Sequence, residues 1–156
     1  MAEVVRIEGL SEILETLKRL PPEIVSKRGG PVRVALRKAA VVVQKEYQGN
    51  VDRVAQEGES NESTGALKKA IIVSRKKPGG FKGERFWVRI KRSAKNAKGV
   101  SPNTYGGVLE FGDQRIPAKA PMRRAWEAKK SEALDTFMRE MPKAIEAAVK
   151  RARKRG

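Results

Sequence analysis

Apolar residues open the chain at three- and four-residue intervals: Leu10, Ile13, Leu14, Leu17 and Leu20 fall on one helical face. Before them Val4-Val5-Arg6-Ile7 reads as a short strand, and Gly9 or Ser11 supplies the helix start. Pro21-Pro22 ends the helix, because proline lacks the N–H and disfavours helix in the residue before it. After Gly29-Gly30, Pro31 suits the first position of a second helix. Val32, Leu36, Ala39, Ala40, Val43 and Tyr47 share a face of it, although Val41-Val42-Val43 is β-prone. Ala39 and Ala40 are small enough to let another helix approach closely.

Residues 55–63 are polar and acidic with little to bury, which predicts a mobile loop over about 54–63. Thr64 or Ser63 then caps a short helical turn through Ala70. Ile71 to Arg75 reads as a strand, and Pro78-Gly79-Gly80 as a turn. In residues 84–91, Phe86, Val88 and Ile90 alternate with Arg85, Trp87, Arg89 and Lys91, the period of a half-buried strand. The two segments predict an antiparallel hairpin. A second mobile loop is expected over 93–104, apolar structure resumes at Tyr105, and a long helix opens at Pro121. Met122, Trp126, Ala133, Phe137, Met141, Ile145 and Ala148 set that helix's apolar side, and Pro142 predicts a kink or a break. Residues 150–156 read as a frayed basic tail. The sum is an α+β fold in a single domain, 1–156: a small antiparallel sheet packed by two or three helices, with a long kinked C-terminal helix.

Composition narrows the chemistry. The 156 residues include no cysteine and no histidine, which excludes disulfide scaffolds, Cys/His zinc sites, cysteine nucleophiles and Ser-His-Asp triads. No apolar run is long enough to span a membrane, and the first residues do not read as a secretory signal. Lysine and arginine number 35 against 18 acids, a net charge of +17. Residues 1–66 hold 10 bases and 10 acids, so the whole excess lies in the later part. Such asymmetry predicts a polyanionic partner, nucleic acid or an acidic protein surface; a merely soluble basic surface is the plain alternative.

No catalytic set stands out, and no cofactor or metal ligand set is predicted. Glu110 and Asp113 flank Phe111-Gly112, but a turn with an exposed Asp and a Glu bonded to local backbone or Arg is the preferred reading. Thr64-Gly65 beside Lys68-Lys69 resembles a phosphate-binding helix start yet lacks the glycine run and Lys-Ser/Thr ending of a P-loop. Candidate partner, subunit or DNA contacts are Trp87, Arg89, Lys91 and Arg92 on the second strand, and Lys95 and Lys98 in the second loop. Arg151, Arg153, Lys154 and Arg155 join them from the tail. Trp87 has the chemistry to stack on a base or to meet a helix or a neighbouring subunit.

The order of motifs goes further. Glu8-Gly9-Leu10 leads into a leucine helix, and Thr64-Gly65-Ala66-Leu67 precedes a strand and hairpin. Then come Tyr105 with Glu110-Phe111-Gly112, and Ala118-Lys119-Ala120-Pro121-Met122 opening the terminal helix. Over residues 3–150 this series resembles the tail-completion, or neck, protein family of long-tailed bacteriophages, the gene-product-ten-like proteins of lambdoid phages. The chain departs from the family pattern at Glu62-Ser63, Asp113 and Met122. The resemblance implies a non-enzymatic virion protein at the head–tail junction, assembled in the host cytoplasm. Its implied form is a homo-oligomeric ring, a hexamer or alternatively a dodecamer, through which DNA passes, with non-specific DNA contact. Implied partners are the head connector or stopper and the tail tube or terminator proteins, with no membrane. Thr64, Gly65, Leu67, Tyr105, Glu110, Phe111, Gly112 and Pro121 are expected to make the fold, with Phe111 in the core. A tail terminator is the nearest alternative, and a basic nucleic-acid-binding protein is the alternative from another class.

Overall fold

The computed structural model of the chain describes residues 9–21, 30–58, 61–76, 84–92, 94–96 and 98–155. The expected strand at Val4 to Ile7 and the turn at Pro78-Gly79-Gly80 lie outside them. The described elements are α1 (Leu10–Arg19), α2 (Pro31–Gln56), α3 (Asn61–Ala70), β1 (Ile71–Lys76), β2 (Arg85–Ile90), α4 (Pro102–Phe111) and α5 (Pro121–Arg153). The architecture is α+β, with a two-stranded antiparallel sheet set on long helices.

The α2–α5 pair is the frame, and its contact is the most extensive between any two helices. The buried stripe of α2 runs Ala35, Ala39, Val43, Tyr47, Val51 and Val54, steps of three and four. Across it lie Ala125, Ala133, Met141, Ala144 and Ala148 of α5. The alanines on both helices allow the close approach that a seam of long side chains would prevent. Burial of Val43 at this seam holds the β-prone valine run helical. At one end of the pair α1 lays Ile13, Leu17 and the following Leu20 on Ala35, Met141 and Ile145. Leu14, expected on that stripe, is instead 46% exposed.

Helix runs further than the sequence suggests. The predicted loop at 54–63 shrinks, because α2 continues to Gln56 and α3 begins at Asn61. Val54 is buried and carries α2 onward. The second loop ends before 102, since Ser101 accepts a hydrogen bond from Asn103 N at 3.3 Å and Pro102 takes the first turn of α4. Within that connection Asn96 Oδ1 accepts from Lys98 N and Val100 N, so its own side chain builds the turn. Pro142 leaves α5 one helix: its ring is exposed, and the buried Met141, Ala144 and Ile145 pack the turn around it. The tail is likewise helical rather than frayed through Arg153.

The hairpin is antiparallel as predicted, with Ile71 opposite Ile90 and Lys76 opposite Arg85. Lys91 N donates to Ala70 O at 2.8 Å and lengthens the ladder. Gln44 of α2 donates to Ile71 O at 2.8 Å, fastening the sheet to the frame.

Candidate functional site

Three places on this frame bear on function: a junction of α3, α4 and α5, a basic outer strand face, and an apolar groove. The junction gathers most of the motif residues. Leu67 and Leu109 are fully buried in one cluster with Tyr47, Val51, Val54, Ile71 and Ala125, and Tyr105 and Met122 pack against it. The backbone of α4 reaches Ile90 so closely that a Cβ on Gly106 would lie 2.3 Å from Ile90 Cδ1. A side chain there would have to push the Ile90 and Leu67 methyls aside, a closeness invisible in sequence because no local turn signal marks it.

After Phe111 the chain reverses. Gly112 has φ 76, and a Cβ on it would lie 2.8 Å from Ala118 N. Lys119 N and Ala120 N return to Leu109 O at 2.8 and 3.0 Å. The first turn of α5 has no side-chain cap of its own, since Ala120 stands at the N-cap. Glu110 supplies it: its carboxylate accepts from Met122 N at 2.8 Å and Arg123 N at 3.1 Å. These are donors that a helix start leaves unpaired, and a carboxylate suits the positive end of the helix dipole. Asp113 Oδ1 accepts from Arg115 N and Ile116 N in an exposed turn. Glu110 and Asp113 thus hold backbone, as the preferred reading expected. Burial and then the Glu110 carboxylate push the Tyr47 hydroxyl up to about 12.

Three expectations for motif residues are corrected. Phe111 is 76% exposed rather than core, because Leu109 and Glu110 take the inward positions and Gly112 turns the chain immediately after. Gly65 lies within α3 with open space around it, so crowding does not require glycine there. Thr64 is buried but stands a turn inside α3, whose first residue is Asn61, and is not the helix start.

The predicted contact residues fall into two groups. Trp87 and Arg89 project from the outer face of the sheet, and Lys91 and Arg92 follow them exposed. Trp87 is 43% exposed, and Lys76 Nζ sits 4.3 Å from its ring centroid. Its cover is therefore a lysine of the same hairpin, a cation–π contact. Arg89 donates to Ser74 Oγ at 2.7 Å across the strands. Lys95 and Lys98 are exposed in the connection beyond. The tail bases Arg151, Arg153, Lys154 and Arg155 are exposed at the other end of α5. From Ala133, which clusters with Val88, to Arg151 the helix advances about 27 Å. The two basic groups are separate surfaces.

A groove of about 550 Å³ lies on the remaining side of the frame. Leu36, Ala40 and Val43 of α2 meet Phe86 and Val88 of β2 and Met122, Trp126, Leu134 and Phe137 of α5. Among the described residues Lys130 is the sole charged one lining it. Trp126 is 50% exposed. Near one end Glu84 receives Arg75 at 2.7 Å and Arg33 at 2.8 Å. Those hydrogen bonds, from Arg75 first, hold its carboxyl down at about 2. Sequence periodicity places most of these positions, though not Leu134, on apolar faces; the one signal that they line an open surface is Trp126, a large side chain a turn from Arg123 and Lys130 on α5.

Among the described residues no cluster of acidic side chains has metal-binding geometry, and no helix is long and apolar enough to cross a membrane. Comparison with family models, curated proteins and solved structures returned no match to this chain.

Proposed function

We propose that this chain is a structural subunit of a tailed bacteriophage, a neck or tail-completion protein forming a ring at the head–tail junction. One observation carries the reading. Most of the separated residues that bear the family resemblance gather at a single junction, Gly9-Leu10 lying elsewhere, and five of them have a structural task there. Leu67 and Tyr105 pack in one cluster, Glu110 caps α5, Gly112 makes the reversal, and Pro121 takes the first turn. An ordered motif series whose members cooperate physically is unlike a chance series. A closed ring needs two different patches, one meeting the other on the next subunit, and the exposed Phe111 and the Trp87 face are available for this. The positive charge suits contact with passing DNA and with acidic neighbours.

Particles of a phage encoding the chain, labelled with gold through an antibody to its C-terminal peptide, test the reading. Gold at the head–tail junction, with the protein in the particle mass spectrum, is the expected result. Intact particles that lack both overturn it. The alternative of a basic nucleic-acid-binding protein predicts instead DNA affinity that falls steeply as salt rises.

A further inference from the structure

The groove has walls of unusual uniformity. Small-molecule sites combine an apolar lining with a few converging polar groups. Here the only charged liner among the described residues, Lys130, is already paired to Glu127 at 2.7 Å. The occupant it suits brings hydrocarbon and no polar group needing a partner inside. On α5 the lining runs from Met122 to Phe137, about 22 Å at the helical rise, or roughly four turns. An extended strand laid on such a surface would bury N–H and C=O groups against hydrocarbon. A helix satisfies them internally, and the small floor residues Ala39, Ala40 and Ala133 leave room for one.

Charge selects the kind of helix. Arg37 lies one turn before Ala40 on α2, and Arg123 one turn before Trp126 on α5; both are exposed. The acids at the margins are compensated, Glu84 by Arg33 and Arg75 and Glu127 by Lys130. A second copy laid groove to groove brings its own Arg37 and Arg123 to this edge and is repelled. A helix whose apolar stripe is flanked by carboxylates is attracted. We propose that the groove between α2, β2 and α5 receives an amphipathic helix of an acidic partner protein. This goes beyond the neck reading and stands independently of it.

Two synthetic amphipathic peptides of 18 residues test it, with identical leucine faces and either glutamate or lysine at every flanking position. Each carries a fluorophore for anisotropy, and the full chain with Trp87→Phe leaves Trp126 as sole tryptophan. The expected result is binding of the glutamate peptide at least tenfold tighter than the lysine peptide, with a blue shift of Trp126 emission. Ala40→Glu weakens it at least tenfold. Trp126→Glu, at a half-exposed position, does the same by anisotropy and serves should Ala40→Glu fail to fold. Glutamate-peptide binding unchanged by the folded variants means attachment to the general basic surface and overturns the proposal. Equal affinity for both peptides overturns it too, as does self-association that Ala40→Glu abolishes.

Discussion

The α2–α5 pair offers two apolar sides with different fates. On the side of Tyr47, Val51 and Ala125, α4 closes over the frame and leaves Leu67 and Leu109 fully buried. On the side of Leu36, Ala40 and Trp126, no described element lies across the walls, and a groove remains. Both sides are built from the same residue types. What separates them is the means of closure. The junction combines Gly106 against Ile90, Glu110 on the α5 backbone, and Asn50 donating to Pro121 O at 2.9 Å. The groove is lined by hydrocarbon apart from Lys130, and no polar contact closes it among the described residues. Apolar pattern alone places a residue on the frame's surface; polar closure decides whether that surface becomes core or stays available.

The sharpest way to break this comparison is to truncate one leucine on each side. Leu109→Ala leaves a cavity under α4 and is expected to cost about 2–5 kcal/mol. Leu36→Ala, at the groove wall, removes a partly solvated side chain and is expected to cost less than about 1 kcal/mol, since water fills the space. Urea unfolding measures both. Equal losses would mean that the groove is as much core as the junction.

A smaller effect tests the polar closure itself. Glu110→Ala frees the Met122 and Arg123 amides and removes a charge at the helix start. A loss of about 1–2 kcal/mol is expected, with faster hydrogen exchange at those two amides. An unchanged exchange rate there would show that the cap is redundant and that burial alone closes the junction.

Much of this was legible in the sequence. The faces of α1, α2 and α5, the proline at the start of α2, and the alternating strand β2 follow from spacing and from proline chemistry. Local signals misjudged lengths instead. The polar run at 54–63 concealed two helix ends, because the buried Val54 extends α2 into it. Tyr105-Gly106-Gly107 gave no helical signal, since glycine is a poor helix former and the contact that Gly106 makes is with Ile90, distant in sequence. Phe111 misled because hydrophobicity says nothing about which way a chain reverses. The groove was concealed for a related reason: periodicity counts apolar positions on a face but not the elements available to cover them.

The smallest effect concerns the clasp at the groove's edge, and its sign depends on pH. Arg75 and Arg33 hold the Glu84 carboxyl at about 2 in the fold, against about 4.3 when the chain is unfolded. A carboxylate held low stabilises the folded state above its unfolded value, and that contribution fades as pH falls from about 4.3 toward 2. The unscreened difference corresponds to roughly 3 kcal/mol, but the group lies at the solvent edge, so about 1 kcal/mol is expected. Unfolding midpoints for the natural chain and for Glu84→Gln should therefore differ by a constant amount above pH 5 and converge near pH 2. The carboxylate of Glu140, lowered by Lys38 on another part of the frame, is common to both proteins and subtracts out. A difference that persists unchanged to pH 2 would assign the cost to lost shape and not to charge. The hairpin would then be held on α2 by packing and by Gln44.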